Sequence, residues 1–535
     1  MQRAATYFVT TPIYYVNAEP HIGHLFSSCL ADSLARYHRL FNRPTLLTTG
    51  CDEHGQKVEQ ASIQAGFQNV QQFCSTNSNK FRLLFDSAGI DYSTGGFLRT
   101  SELRHVDCVS SVWNRLSSSG LLSKASYEGW YSTSDECFVS ADDLVRSEDP
   151  VAGKEKFVMR ETGQPVELCS EVNWLLRMND LKSEVRKYLT SERVVVPDRY
   201  SESALRQLNS TPDTLSVSRP TSRCSWGVPV PGDPSQTVYV WLDALCNYLT
   251  CAGYPNHLRA WPPTDQIVGK DILRFHAIIW PAILIAMGLQ PPNRIICHGH
   301  WLCDGRKMSK SLGNVVRPDE DLFNRLSRDG LRYALLRSGP VTGEDADFQL
   351  ARSIHTVNDE LVNCMANLAS RASSPKIHRR SLPPVESHKD LLRHAANLNE
   401  HQFVEQLLNL SDSLHSQWSE VRIHHVADSL VSVWRSANSL FDRWHPWQLA
   451  KSDDAESMSK LDSLLVLVFA SLRLTGLHLT PLCPTLGHRL MSASGVDKSD
   501  TVRFDSPIDS VLLCPRELAA PSASREHLIE RREVL

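Results

Sequence analysis

A chain of 535 residues, 41% hydrophobic with a formal net charge of −4, has the composition of a soluble globular protein with room for about three or four domains. That balance excludes a uniformly basic nucleic-acid coat, so a nucleic-acid partner has to meet a local basic face. The fourteen cysteines are scattered and form no Cys-x-x-Cys pair, which argues against a disulfide scaffold and for a reducing compartment.

Met1 to Ala5 hold no apolar signal core and are too few for an organelle transit peptide. From Tyr7 to about Gly120 strands and helices alternate. Tyr7 to Thr10 and Pro44 to Thr49 are strand-like, whereas Phe26 to Leu40 and Phe73 to Ala88 carry apolar residues at helical spacing. This predicts the first half of a doubly wound nucleotide-binding fold. No Gly-x-Gly-x-x-Gly string is present, so a dinucleotide cofactor is not indicated. His21-Ile22-Gly23-His24 falls between the first strand and the first helix, where backbone N–H groups and the helix dipole favour phosphate. Gly23 there lets a nucleotide approach the backbone closely. Cys51-Asp52-Glu53-His54-Gly55 follows the second strand. Those side chains bind metals elsewhere, but neighbours on an extended segment point in alternating directions. A structural or substrate-facing loop is the better reading, with Asp52 placed to hold a substrate ammonium.

Between about Leu121 and Pro220 the rhythm changes to short strands and turns, with a charged helix near Asp180 to Thr190. This is an insertion. Strand–helix alternation resumes at Val238 to Cys251, Gln266 to Val268 and Arg294 to Cys297, giving a split nucleotide-binding domain. The apolar run Ala277 to Leu289 carries Pro281 and is too short for a membrane span, so it is read as a buried helix. Trp241, Ala244 and Tyr248 fall at helical spacing around Asp243, and His276 lies beyond the Gly269-Lys270-Asp271 turn. Periodicity alone slightly favours a core aromatic stripe there. A polarizable thioether ligand would favour the same aromatic surroundings with a polar anchor.

Lys307-Met308-Ser309-Lys310-Ser311 sits on a Gly- and Ser-rich loop able to swing two ammonium groups onto phosphates. Two histidines and two lysines at separated strand ends suit the task of holding a nucleoside triphosphate while its α-phosphate is attacked. From Ala351 onward the pattern is helical, with Ile354, Val357, Leu361, Met365 and Leu368 on one stripe. Ser373 to Glu386 reads as a loop, and the tail after Pro515 is polar and expected to fray.

The two strings resemble the HIGH and KMSKS motifs of class I aminoacyl-tRNA synthetases. Thr10-Thr11-Pro12-Ile13-Tyr14-Tyr15-Val16-Asn17, Val240-Trp241-Leu242-Asp243-Ala244 and Lys307 through Asn314 extend the likeness to methionyl-tRNA synthetases of bacterial and mitochondrial type. His298-Gly299-His300-Trp301 looks most like the mitochondrial members, and the similarity runs from about Tyr7 to at least Lys451.

The resemblance implies an α/β fold: a split doubly wound parallel-sheet (Rossmann-like) catalytic domain (1–120 and 221–300) around a connective insertion (121–220). A KMSKS and stem-contact region (301–350), an all-α anticodon-binding helix bundle (351–515) and a tail (516–535) follow. It implies ATP-dependent conversion of L-methionine to methionyl-adenylate and transfer to tRNA(Met), with Mg²⁺ accompanying ATP, in the mitochondrial matrix. Carried over by position, Ile13, Tyr15, Trp241, Ala244, Tyr248 and His276 line the methionine pocket and Asp52 takes the amino group. His21, Gly23, His24, Lys307 and Lys310 bind ATP, the four basic residues activating it, while Asn367, Arg371 and Trp447 read the anticodon.

Many members carry zinc knuckles built from Cys-x-x-Cys pairs. The equivalent stretch Gly129 to Cys137 keeps one cysteine, and tetrahedral zinc needs four donors, so no structural zinc is expected. With no appended oligonucleotide-binding domain after the helices, a monomer that does not associate with membranes is expected. The insertion leaves little room for the hydrolytic editing domain of the isoleucine, valine and leucine enzymes. A noncatalytic tRNA-binding relative would have no need of His21, His24, Lys307 and Lys310 together.

Overall fold

The computed structural model describes residues 5–133, 136–139, 144–148, 155–160, 163–308, 313–496, 518 and 528–531. The chain divides into two compact units, one of Ala5–Ala31 with Thr45–His300, the other containing Asp32–Pro44 and Trp301–Leu535.

The first unit is built on a six-stranded sheet. Its strands are β1 (Tyr7–Tyr15), β2 (Thr45–Asp52), β3 (Phe97–Arg99), β4 (Val195–Val196), β5 (Asp265–Gly269) and β6 (Arg294–His298), in the order β3-β2-β1-β5-β6-β4. Every pairing is parallel. Both faces are covered, so the strands read as apolar runs rather than alternations, with Phe8, Val9, Leu47, Ile267 and Val268 fully buried. At the amino ends, the fully buried Asp265 ties three strands together. It accepts from the Tyr7 hydroxyl at 2.5 Å and from Arg294 Nε and Nη2 at 2.5 and 2.9 Å. The winding reverses at β1, which has β2 on one side and β5 on the other. Ligands of such sheets bind beyond the carboxyl ends of the strands at that switch point.

β1 runs five residues further than the sequence pattern indicates. Its register against β2 shifts between Thr10 and Ile13, a bulge that accommodates Pro12, which has no N–H to give the ladder. The bulge carries the strand on to Ile13 and Tyr15. Within the inserted stretch, Leu122–Ser132 and Glu167–Arg177 form a long antiparallel pair. Helix Lys182–Leu189 matches the expected charged helix, but a second, Asp198–Ser210, has no counterpart in the sequence reading. Its buried face is confined to Ala204 and Leu208, one turn apart, too narrow a stripe to stand out. The run that includes Pro281 is a π-helical turn, Phe275–Ile279, leading directly into helix Trp280–Ala286.

In the second unit, Leu350–Thr356, the π-helical Val357–Ala366 and Asn367–Ala372 run on from one another and bury the predicted stripe. Helices His388–Leu398, His401–Ser419, Ile423–Trp444, Ala455–Leu479 and Pro484–Ala493 follow. Ala455–Leu479 is long and apolar enough to cross a membrane, yet 94% of its apolar window is buried, and Trp434 Nε1 donates to its Thr475 hydroxyl at 2.9 Å. It is the core helix of the bundle. The expected tail lies mostly outside the described residues; Leu518 pairs with Leu382 through two backbone hydrogen bonds.

Candidate active site

Helix α1 (Ile22–Leu40) opens just after β1, which puts His21 at its N-terminus and His24 in its first turn. The Gly23 N–H donates to His21 Nδ1 at 3.0 Å, and the His21 N–H donates to His24 Nδ1 at 3.2 Å. Each ring therefore accepts at Nδ1, and the proton of the neutral imidazole lies on Nε2. The two rings stack with centroids 3.7 Å apart. Burial, reinforced by His21, holds His24 well below the usual imidazole range, so it is neutral at pH 7. Gly23 has a second reason to be glycine: a Cβ would stand 2.8 Å from His21 Cε1.

Asp52 ends β2, directly across from Tyr15 of β1. It is 3% exposed and accepts one long hydrogen bond, 3.4 Å, from the His54 N–H. Burial, then the Asp243 and Glu136 carboxylates, push it well above the usual carboxylate range. Such a group is poised to receive a cation. The adjacent Glu53 faces the other way, as alternation along an extended segment requires. Glu53 accepts from Arg99 Nε at 2.6 Å and from the Ser78 and Ser101 hydroxyls. His54 Nδ1 meets Asp243 Oδ2 at 2.6 Å. Among the described residues no group of three or more His, Cys, Asp or Glu side chains could hold a metal ion.

Asp243 has no exposed surface and bridges two histidines, His105 Nε2 lying 2.9 Å from its second oxygen. Although burial pulls it upward, His54 and His105 keep it far below the ordinary carboxylate range. Asp243 lies in the short helix Val240–Leu245 with Trp241 and Ala244, and Tyr248 follows in Asn247–Ala252. Trp241 stacks on Phe275 at 3.7 Å, nearly parallel. Tyr248 and His276 are linked at 2.8 Å through Nε2, while His276 Nδ1 donates to the Ile272 carbonyl at 2.9 Å. His276 is thus protonated on Nδ1 and accepts from the tyrosine, its pKa lowered by burial to about 4. Tyr15 donates its hydroxyl to Glu136, which also accepts from the Lys57 N–H at 2.9 Å. Gly55, at φ +106°, leaves room for that hydroxyl, which a Cβ would strike.

The first unit thus gathers Ile13, Tyr15, Asp52, Trp241, Ala244, Tyr248 and His276, with His21, Gly23 and His24, at or just beyond the carboxyl ends of β1, β2 and β5. In the second unit Lys307 is exposed on the strand Arg306–Lys307, and Lys310 lies outside the described residues. Asn367 is exposed, and Arg371, one turn on, pairs with Asp442 and lies 4.7 Å over the Phe441 ring. Trp447 is 40% exposed, an unusual state for so large an apolar ring. Sequence reasoning missed the Asp243–His54–His105 bridge, the Glu136 partner of Tyr15 and the Phe275 ring against Trp241. Only the last had a local signal, its position next to His276.

The family model for tRNA synthetases class I (M) matches residues 7–373. The human protein "Methionine--tRNA ligase, mitochondrial" is 39% identical over 92% of this chain and 84% of its own length. The "Probable methionine--tRNA ligase, mitochondrial" of Schizosaccharomyces pombe is 36% identical over 98% and 96%. A solved structure of Mycobacterium tuberculosis methionyl-tRNA synthetase in complex with methionyl-adenylate superposes with a TM-score of 0.88 at 30% identity, covering 98% of this chain and 99% of that one. The chain belongs to the methionine group of the class I tRNA synthetases.

Proposed function

We propose that this chain joins methionine to ATP, releasing pyrophosphate, and then passes the methionyl group to tRNA(Met), releasing AMP, in mitochondria. The observation that carries the reading is a pair of imidazole Nε2–H donors at a helix N-terminus, one strand away from a buried carboxyl that lacks a cation. In the first step a methionine carboxylate oxygen attacks the α-phosphorus and the bond to the β,γ-diphosphate breaks. Charge builds on the α-phosphate and the leaving group, and fixed donors that need no reorganisation stabilise it. His21 and His24 supply these as Nε2–H donors, the buried His24 ring being neutral, aided by the amino end of α1. Lys307 and Lys310 bring ammonium groups to the departing diphosphate. Asp52 holds the methionine ammonium, and Ile13, Tyr15, Trp241, Ala244, Tyr248 and His276 enclose the thioether chain. Mg²⁺ bound with ATP would supply neutralisation of phosphate charge. Asn367, Arg371 and Trp447 form the anticodon-reading face.

The test is amino-acid-dependent ATP–pyrophosphate exchange with methionine beside isoleucine, leucine, valine and cysteine. Exchange with methionine alone is expected. Folded protein that binds tRNA yet exchanges with none of them would identify a noncatalytic relative. For the anticodon face, Trp447→Ala is expected to lower kcat/KM for tRNA about ten-fold or more, the value of roughly 1–3 kcal/mol for one stacked base, while exchange stays unchanged. Equal loss of both activities would remove Trp447 from that role.

A further inference from the structure

Helix α1 carries the two histidines proposed to activate ATP, and its next turn carries two serines that its packing does not call for. Leu25, Phe26, Cys29, Leu30 and Ala31 have no exposed surface, and Ser27 and Ser28 among them are 4% and 0% exposed. Serine is a mediocre helix former, and a buried hydroxyl is costly unless it is bonded. Inside a helix such a hydroxyl can turn back to the carbonyl one turn earlier. For Ser27 that carbonyl, of Gly23, lies 3.3 Å away, but His298 Nε2 lies nearer, at 2.8 Å. His298 Nδ1 is 2.7 Å from the Gly299 carbonyl, which can only accept, and burial lowers the pKa of the ring to about 4. The ring is therefore neutral with its proton on Nδ1, and Nε2 accepts from the Ser27 hydroxyl. Ser28 and Tyr14 share a hydrogen bond between their hydroxyls at 2.9 Å.

Tyr14 and His298 stand at the carboxyl ends of β1 and β6, on opposite sides of β5. Helix α1 is thus fastened at one level to two strands, one turn beyond Gly23 and His24. The same two side chains touch its opening turns directly. Tyr14 meets the His24 ring edge-on at 5.1 Å, and His298 meets Phe26 in the same manner at 5.1 Å. Apolar contacts alone fix a helix less sharply than hydrogen bonds of defined length and direction. Donors that stabilise a developing charge act through fixed placement, and a displacement of about 1 Å can cost about a hundred-fold in rate.

We propose that the Ser27–His298 and Tyr14–Ser28 pairs form a clamp that sets the first turn of α1, making these four positioning residues for the Nε2–H donors of His21 and His24. This rests on the role proposed above for the two histidines. The test is Ser27→Ala and, separately, Tyr14→Phe in the full chain. Each is expected to lower the single-turnover rate of methionyl-adenylate formation about ten-fold, while the KM for methionine and for ATP stays within about two-fold. In a background carrying both His21→Ala and His24→Ala, either substitution should change the residual rate by less than about two-fold, because the groups it positions are gone. Tyr14→Phe keeps its ring against Phe81 and Phe85, so it carries the test alone should Ser27→Ala not fold. An unchanged rate in Tyr14→Phe, or in folded Ser27→Ala, would overturn the proposal. So would a loss that multiplies with that of the histidine substitutions. A parallel rise in both KM values with a lower melting temperature would overturn it too, as the mark of a core defect. An undiminished rate in the His21→Ala, His24→Ala protein itself would be a distinct failure, that of the role given to the histidines, and would take this inference with it.

Discussion

Asp52→Asn is expected to make the protein more stable while weakening methionine capture. The carboxyl is 3% exposed, receives one long hydrogen bond, and is pushed well above the ordinary range by burial and by Asp243 and Glu136. A folded-state pKa raised above the unfolded value of about 3.9 means that the folded chain binds more protons between the two values. Stability therefore declines as pH rises from the unfolded value through the folded one. The amide carries no charge and escapes it. Thermal unfolding at pH 7 should move upward, and the gap between the two proteins should close as pH falls towards 4. The same amide has no charge to offer an ammonium group. Loss of one charge-assisted contact of this kind costs about 1.5–3 kcal/mol, so the KM for methionine in exchange should rise roughly ten- to a hundred-fold. An unaltered KM in the Asp52→Asn protein would remove Asp52 from the pocket, and a lower melting temperature at pH 7 would refute the electrostatic account.

The opposite result is expected at Asp243, whose carboxylate lies 2.6 and 2.9 Å from two buried imidazoles. His54 and His105 hold it far below the ordinary range although burial works against them, so its stabilisation is present above the unfolded pKa and is lost as pH falls below it. Asp243→Ala leaves both imidazoles facing an empty space, and removing one partner of a buried pair costs about 3–5 kcal/mol. The denaturant midpoint should drop accordingly at pH 7, with a smaller difference in strong acid. Because Trp241 and Ala244 share its helix, methionine affinity should weaken with it. Asp243→Asn, which keeps the shape and one acceptor, should lose less stability. A midpoint unchanged by Asp243→Ala would show that the bridge contributes nothing.

Parts of the molecule that depend on local order could be read from the chain. The strand ahead of His21, the helix that His21 opens, and the apolar stripe from Ile354 to Leu368 follow from spacing within one segment. The bulge at Pro12 hid the end of β1 because a proline normally argues against a central strand. Helix Asp198–Ser210 was hidden by its polarity. The partners of Asp243 were out of reach for another reason: His54 and His105 lie 189 and 138 positions away, and only the folded sheet brings the three together. The HIGH histidines were visible as residues, but their proton positions are set by two backbone N–H groups and emerge only from geometry.

Burial keeps the imidazoles of His24, His276 and His298 below their normal range, the last two to about 4. Carboxylate attack on a phosphate transfers no proton, and these rings have none to exchange near neutrality. The pocket thus behaves as an arrangement of constant dipoles. Asp52, whose carboxyl burial pushes upward, must be ionised before it meets an amino acid. A proton on Asp52 is therefore felt at the moment methionine is captured, and leaves the ceiling on turnover where it was.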